Sequence, residues 1–421
     1  MLLVVVVLVG AAACAGQSDE VEAAVEVFGP WQGADAAHFR DVLDGFEAET
    51  GIPARYVGAT SFASQLRERS LEASLPDVAV VPQPGLVAEL VDRGQAVPLA
   101  PSATDLVAQN FRPDIAALGQ LGGSKYGVPI RLAVKSLVWY PPAALDRPVP
   151  HTLDELVDAT ASARAEGTAP WCYTIEALGS TGYLASDWIE DVLLRLYPPA
   201  VYDAALRLEL PLDGPEMRAA VEWYSRELLG PGQVEGGRER ILTTPVERAM
   251  DPMLADPPEC LFHRQANSFR TNLPSSTTIG RDADVNVFVL PDESGGEPPI
   301  LLAGDMAVAF DDRPEVNALM RYLARPESMG PWIAAGGYLA PYRDVDPSDY
   351  PDRFDASVAR RLGEADVVRF DLSDSWPPGF GSGIVWDVLT RFTAGAISLD
   401  DALAELEAGR QEALVETAAR S

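Results

Sequence analysis

Apolar positions recur along this chain with two different periods, and the alternation between them outlines a fold. Val25 to Phe28 is a short apolar run that ends in Gly29-Pro30-Trp31-Gln32-Gly33. Helical spacing follows through Phe39, Val42, Leu43 and Phe46 and stops at Thr50-Gly51. Ile52 to Val57 alternates as a strand does, and Phe62, Leu66 and Leu71 mark another helix. Asp77 to Val81 is continuously apolar after its first residue, the pattern of a strand buried on both faces of a parallel sheet. It ends in Pro82-Gln83-Pro84-Gly85, and a helix runs on from Leu86 to Arg93. Strand and helix therefore alternate three times. In open sheets of this kind ligands sit beyond the carboxyl ends of the strands. The loops at those ends carry Trp31 and Gln32, Thr60 and Ser61, and Gln83.

Farther on, Tyr126 to Ile130 and Val134 to Tyr140 read as strands, with Lys135 and Ser136 near the start of the second. Thr152 with Glu155 three residues later predicts a capped helix start. Pro170 to Leu196 packs Trp171, Cys172, Tyr183 and Trp188 around the turn Gly179-Ser180-Thr181-Gly182. Trp188, Val192 and Leu196 give it a helical apolar stripe, and Asp187 with Glu190 fits a capping box that leaves the turn as an exposed rim. Residues 200–250 read as helical, Val285 to Leu290 as a strand, Leu301 to Phe310 as another around Gly304-Asp305. Helices are predicted over Pro314 to Ala324 and Pro326 to Ala335, the latter ending at a Gly336-Gly337 C-cap, with helices and acidic loops after Pro341.

Composition narrows what such a fold could do. At 421 residues, 47% hydrophobic and 23% charged, the chain is globular and too long for one compact core. A formal net charge of -31 excludes binding nucleic acid through a basic face and disfavours polyanionic substrates. Basic residues are nearly all arginine, Lys125 and Lys135 being the only lysines. Three scattered histidines (His38, His151, His263) and the few cysteines make no metal site by spacing, and no cofactor is implied.

Leu2 to Ala13 is too short an apolar run to span a bilayer and reads as a signal-peptide core, residues 1–13 in all. Gly10-Ala11-Ala12-Ala13-Cys14 resembles a bacterial lipobox, which implies lipidation of Cys14, a polar tether over 14–23 and an extracytoplasmic, membrane-anchored address. No Lys or Arg precedes the run, and Ala11 stands where a leucine is usual. An oxidising compartment makes a disulfide between Cys172 and Cys260 the natural pairing, with two buried thiols as the alternative.

The order of these pieces resembles an extracellular solute-binding protein of a carbohydrate ABC importer, in the maltose-binding-protein-like class and its alpha-glucoside-type branch. The resemblance rests on Phe46-Glu47-x-x-Thr50-Gly51-Ile52, Pro76-Asp77-Val78-Ala79, Pro82-Gln83-Pro84-Gly85, Tyr126-Gly127-Val128-Pro129 and Lys135-Ser136-Leu137-Val138-Trp139-Tyr140. It continues through Pro170-Trp171-Cys172, Ser186-Asp187-Trp188-Ile189-Glu190-Asp191, Ala303-Gly304-Asp305 and Arg313-Pro314-Glu315-Val316. It implies an α/β, two-lobed periplasmic-binding-protein-like fold (type II) with a hinge between the lobes. Residues 24–128 and 302–337 would form lobe 1, and 132–298 and 343–421 lobe 2, with crossings near 129–131, 299–301 and 338–342. A monomer would deliver its sugar to the permease subunits of the transporter.

Carried over residue by residue, the resemblance implies a sugar site lined by Trp31, Gln32, Ser61, Gln83, Asp305 and Gly337 from lobe 1. Lobe 2 would supply Lys135, Trp139, Tyr183, Asp187 and Trp188. Aromatic faces suit the C–H faces of a pyranose, and charged or amide groups suit its hydroxyls. Two departures from the pattern fall near this cleft: Gly336-Gly337-Tyr338-Leu339-Ala340-Pro341-Tyr342-Arg343 replaces the expected Gly-Gly-x-Leu-Ser-Pro-His-Lys, and Tyr183 stands where a tryptophan is expected. The competing readings are a non-sugar solute such as a polyamine or peptide, and a secreted glycoside hydrolase. The hydrolase has only abundant carboxylates in its favour, since no nucleophile elbow, His-Glu-x-x-His or phosphate loop is present.

Overall fold

The computed structural model describes residues 24–420, so the signal segment 1–13, the tether 14–23 and Cys14 lie outside it. Among the described residues the chain forms twelve strands. These are β1 (Val25–Gly29), β2 (Ala54–Gly58), β3 (Val78–Val81), β4 (Gln120–Leu121), β5 (Ser124–Lys125) and β6 (Gly127–Val134). They continue as β7 (Leu137–Tyr140), β8 (Ala169–Trp171), β9 (Cys260–Arg264), β10 (Asn286–Val289), β11 (Ile300–Ala309) and β12 (Val368–Phe370).

Two main sheets result. In the first, β3, β1 and β2 are parallel neighbours, β11 lies antiparallel to β3, and β12 joins the start of β11 in parallel. The other edge of β11 runs along β6, antiparallel from Leu302↔Val134 to Val308↔Gly127, with a bulge between Asp305 and Met306. The second sheet has the order β10-β7-β9-β8. The continuous apolar reading of β3 holds. Val78 and Val80 enter one core with Val27, Phe39, Phe46 and Trp332, while Ala79 and Val81 enter another with Phe28, Phe62 and Leu86. A period of two buries both faces because helices cover both.

The strand expected over Val134 to Tyr140 is broken. β6 ends in the first sheet at Val134 and β7 begins in the second at Leu137, so Lys135 and Ser136 link the sheets. They are pinned there: Lys135 N–H donates to the Leu301 carbonyl at 2.8 Å, and the Ser136 side-chain Oγ accepts from Leu301 N–H at 2.8 Å. Leu132 N–H donates to the Leu339 carbonyl at 2.9 Å, bringing a third segment alongside β6 and β11.

The second sheet packs on the helix Tyr183–Leu196, itself laid against Pro215–Leu228. The capping box expected at Asp187 and Glu190 is not formed. The helix starts five residues earlier than that box requires, its N-cap being Gly182 at φ 103°. A Cβ at Gly182 would stand 2.4 Å from the Trp386 carbonyl oxygen, so only glycine lets the turn approach so closely. Asp187 is thereby carried inside the helix and wholly buried. At Thr152 the expected cap forms, its side chain accepting from Glu155 N–H at 3.1 Å, but Glu155 reaches back to His151 N–H. Cys172 and Cys260 are joined as a disulfide between the end of β8 and the start of β9, with 5.4 Å between Cα atoms. No helix among the described residues is long and apolar enough to cross a membrane.

Candidate functional site: a cleft between the two sheets

Loops from both sheets converge on two adjoining cavities that share Pro82, Tyr183 and Asp374. The larger, of about 660 Å³, takes Thr60, Ser61, Pro82 and Gln83 from the first sheet. Facing them are Lys135, the turn Ala177–Ser180, Tyr183, Asp374, Ser382 and Trp386. The smaller, of about 360 Å³, lies toward the β6–β11 pair and is lined by Asp35, Arg131, Gly304 and Asp305 on one side and Gln265, Ser268 and Phe269 on the other. Both volumes fall in the usual range for small-ligand pockets, about 300–1,000 Å³.

Behind the larger cavity lies a buried charge network. Lys135 Nζ donates to Asp187 at 2.7 Å and to Asp371, with Asp374 at 3.8 Å. Burial works against the ammonium, but these carboxylates outweigh it and raise its pKa well above the usual lysine range. Burial would also raise Asp371, yet Lys135 overrides it and holds that carboxyl below its ordinary value. Asp187 is pushed up to about 6 by burial, and Asp374 to about 7 by burial and the neighbouring Asp371. Behind Asp187, Arg264 donates to Asp191 at 2.8 Å and stands 3.5 Å from Asp187. Glu190 accepts from the N–H groups of Leu372 (2.6 Å) and Ser373 (3.1 Å), which locks the C-terminal segment to this helix.

In the smaller cavity Trp31 Nε1 donates to Asp305 at 3.2 Å, and Arg131 pairs with Asp35 at 2.7 Å while lying over the Trp31 and Trp332 rings. Burial pushes Asp305 up to about 6, against the pull of Arg131. Tyr183 forms the partition between the cavities. Its hydroxyl accepts from Gln265 Nε2 at 3.3 Å, its ring faces the Lys135 ammonium at 5.8 Å, and Trp386 lies 6.2 Å away.

The expected site residues thus separate. Ser61, Gln83, Lys135, Tyr183 and Asp305 line the cleft. Trp31 sits directly behind Asp305, and Asp187 behind Lys135. Gln32 is exposed on the loop after β1, outside both cavities, and Gly337 lies behind Arg131, its carbonyl 3.5 Å from that guanidinium. Trp139 and Trp188 are corrected to core residues. Trp139 is fully buried and donates to the Gln265 carbonyl. Trp188 is fully buried, stacked on Trp223 at 5.7 Å and edge-on to Trp171 at 5.0 Å. A helix beginning at Tyr183 points position 183 at the cleft and position 188 at the core. Arg131, Gln265, Asp374 and Trp386 line the cleft without having been anticipated. Arg131 had a signal, as the single charge inside the apolar run Val128 to Val134.

The comparisons agree with this architecture. The chain is 34% identical over 386 residues to the osmoprotective compounds-binding protein GgtB of Synechocystis sp., covering 90% of each chain. It is 32% identical over 389 residues to the alpha-glucosides-binding periplasmic protein AglE of Rhizobium meliloti, covering 89% of this chain and 84% of that one. No protein-family model matches. Among solved structures, a chitin oligosaccharide binding protein superposes with a TM-score of 0.75 at 15% identity, over 93% of this chain and 100% of the other. Maltose-bound MalE3 of T. maritima gives 0.69 at 16%, over 92% and 99%. The fold is the two-lobed α/β fold of periplasmic binding proteins. The chain belongs to the family of extracytoplasmic solute-binding proteins that serve sugar-importing ABC transporters.

Proposed function

We propose that this protein captures an alpha-glucoside or a related small polyhydroxylated solute outside the membrane and hands it to the permease of an ABC importer. The observation that carries the reading is the cleft itself. One aromatic partition, Tyr183, stands between two polar compartments furnished with Gln83, Asp374, Asp305, Arg131 and Gln265. Carboxylates and amides of that kind satisfy sugar hydroxyls by charge-assisted and paired hydrogen bonds. Residues 24–128 with 302–337 and 132–298 with 343–421 act as the two lobes, closing about crossings near 129–131, 299–301 and 338–342. The antiparallel β6–β11 pair, with Leu339 bonded to Leu132, supports that geometry. The protein acts as a monomer, held to the membrane through lipid on Cys14, and catalyses nothing.

A thermal-shift panel of trehalose, sucrose, maltose, polyols and polyamines tests the reading. A micromolar ligand at millimolar dose adds about 4 kcal/mol of stability through RT ln(1 + [L]/Kd). A shift with at least one alpha-glucoside, one-to-one binding heat and unchanged sugar on recovery is expected. Silence from every sugar beside a clear polyamine shift, or turnover of the bound sugar, would overturn it. Intact-mass analysis of membrane-extracted protein should show a diacylglyceryl adduct on Cys14.

A further inference from the structure

One sizeable cavity among the described residues stands apart from the cleft. It holds about 760 Å³, shares no residue with either cleft compartment, and lies beside β10, the edge strand of the second sheet. Its lining mixes polar groups with flat apolar ones: Phe288 and Tyr140, with ring centroids 5.7 Å apart, share it with Pro148 and Pro150. Its charge runs opposite to that of the molecule. The chain has 63 acidic residues against 32 basic ones, yet this cavity is lined by Arg147, Arg281 and Arg361 and by a single carboxylate, Glu297. With Arg147 answered by Asp146, two arginines remain in the lining against one glutamate.

The state of those arginines is the second observation. The arginines most deeply buried elsewhere are matched with acids: Arg131 with Asp35, Arg264 with Asp191, Arg410 with Glu407. In the cavity only Arg147 has such a partner, Asp146 at 3.4 Å. Arg361 is partly buried and Arg281 exposed, and neither guanidinium donates a hydrogen bond to, or closes an ion pair with, a described residue, Glu297 and Glu364 acting on Arg361 only at longer range. In a chain with two acids for each base, leaving two guanidinium groups unmatched in one concavity keeps their donors open for an incoming acceptor. A guanidinium fork suits planar or tetrahedral oxyanions, and proline and aromatic walls suit a flat apolar body. We propose that this cavity is a second ligand site, separate from the sugar cleft, for an oxyanion (carboxylate, phosphate or sulfonate) carried on an aromatic or similarly flat body.

The probe is 8-anilinonaphthalene-1-sulfonate, titrated by fluorescence into the folded protein with the cleft held saturated by its sugar, or with the sugar omitted should none bind. Saturable one-to-one enhancement is expected, displaced by phenyl phosphate and benzoate and not by benzyl alcohol. Arg361→Ala should raise the apparent Kd at least tenfold, Arg281→Ala about threefold, and Glu297→Gln should lower it. Arg281 is exposed, so its variant keeps the test decisive if Arg361→Ala fails to fold by circular dichroism. No saturable binding, equal displacement by benzyl alcohol, or a Kd indifferent to the arginine variants overturns the proposal. Because the readout needs no sugar, its failure and a failure of the sugar-binding reading are separately visible.

Discussion

Gln83 donates through Nε2 to Asp374 Oδ1 at 3.3 Å, joining the loop after β3 of the first sheet to the C-terminal segment that buries Lys135. Close by, Gly85 brings its α-carbon against the Trp376 carbonyl so tightly that a Cβ would stand 1.8 Å away. The loop after β3 is therefore joined on this side of the cleft, through a polar bond and a backbone seam, to the segment after β12 that Glu190 holds.

The Asp374 carboxyl makes stability depend on pH. Burial and Asp371 lift it to about 7 from an unfolded value of 3.8, against the opposing pull of Lys135. Between those values the folded protein holds a proton that the unfolded chain has released, so this contribution stabilises at low pH and is lost as pH rises through the window. Asp374→Asn removes it. Denaturation at pH 5 and pH 8 should show the variant gaining on the wild type by an amount of the order of 2 kcal/mol at the higher pH. An identical difference at both pH values would place the proton elsewhere.

Tyr183 and Trp188 lie on one helix and should respond oppositely to truncation. Tyr183→Ala is expected to weaken sugar binding at least tenfold with little change in melting temperature. Trp188→Ala empties a site between Trp171 and Trp223 and should cost about 3–5 kcal/mol of stability. Calorimetric titration beside urea denaturation separates the two effects.

Leu178 stands on the cleft rim at 84% exposure with φ 52°, a left-handed backbone that a leucine side chain resists. Leu178→Gly should stabilise the protein by about 1 kcal/mol through relief of that strain, less the entropy that glycine adds to the unfolded chain. A destabilised variant would mean that Leu178 makes contacts that repay its conformation.

The Cys172–Cys260 bridge closes a loop of 88 residues. In the chain-entropy model that is worth about 4–5 kcal/mol. Thiol titration of denatured, unreduced protein should find neither cysteine free, and the Cys172→Ala/Cys260→Ala double variant should show a loss of that order by denaturation.

The parallel core was legible because its strands and helices obey single periods. Val78 to Val81, flanked by turns, admits few other readings. What escaped were the places where charge is buried. β9 was missed because Cys260-Leu261-Phe262-His263-Arg264 ends in residues that look like surface, though both are buried and Arg264 is neutralised by Asp191. β8 and β12 have three residues each, below the length at which alternation can be seen. The site was half legible for the same reason. Residue type marks Trp188 and Trp139 as sugar-stacking candidates, but only the helix start at Gly182 decides which side chains face the cleft. Asp374 was hidden because its role depends on a lysine 239 positions away in sequence, an approach set by tertiary packing alone.

The scarcity of lysine has a practical consequence for anyone attaching a probe. Lys135 has its ammonium enclosed by three carboxylates and is held protonated, so acylating reagents find neither access nor a lone pair. Lys125 is partly buried against the Ala116 carbonyl, and burial lowers its pKa, which raises its share of nucleophilic amine. Amine-directed labelling of the folded protein should therefore converge on Lys125 among side chains. That residue lies in the β4–β5 hairpin just ahead of β6, so one dye placed there would sit at the base of the strand that leads into the crossing between the sheets.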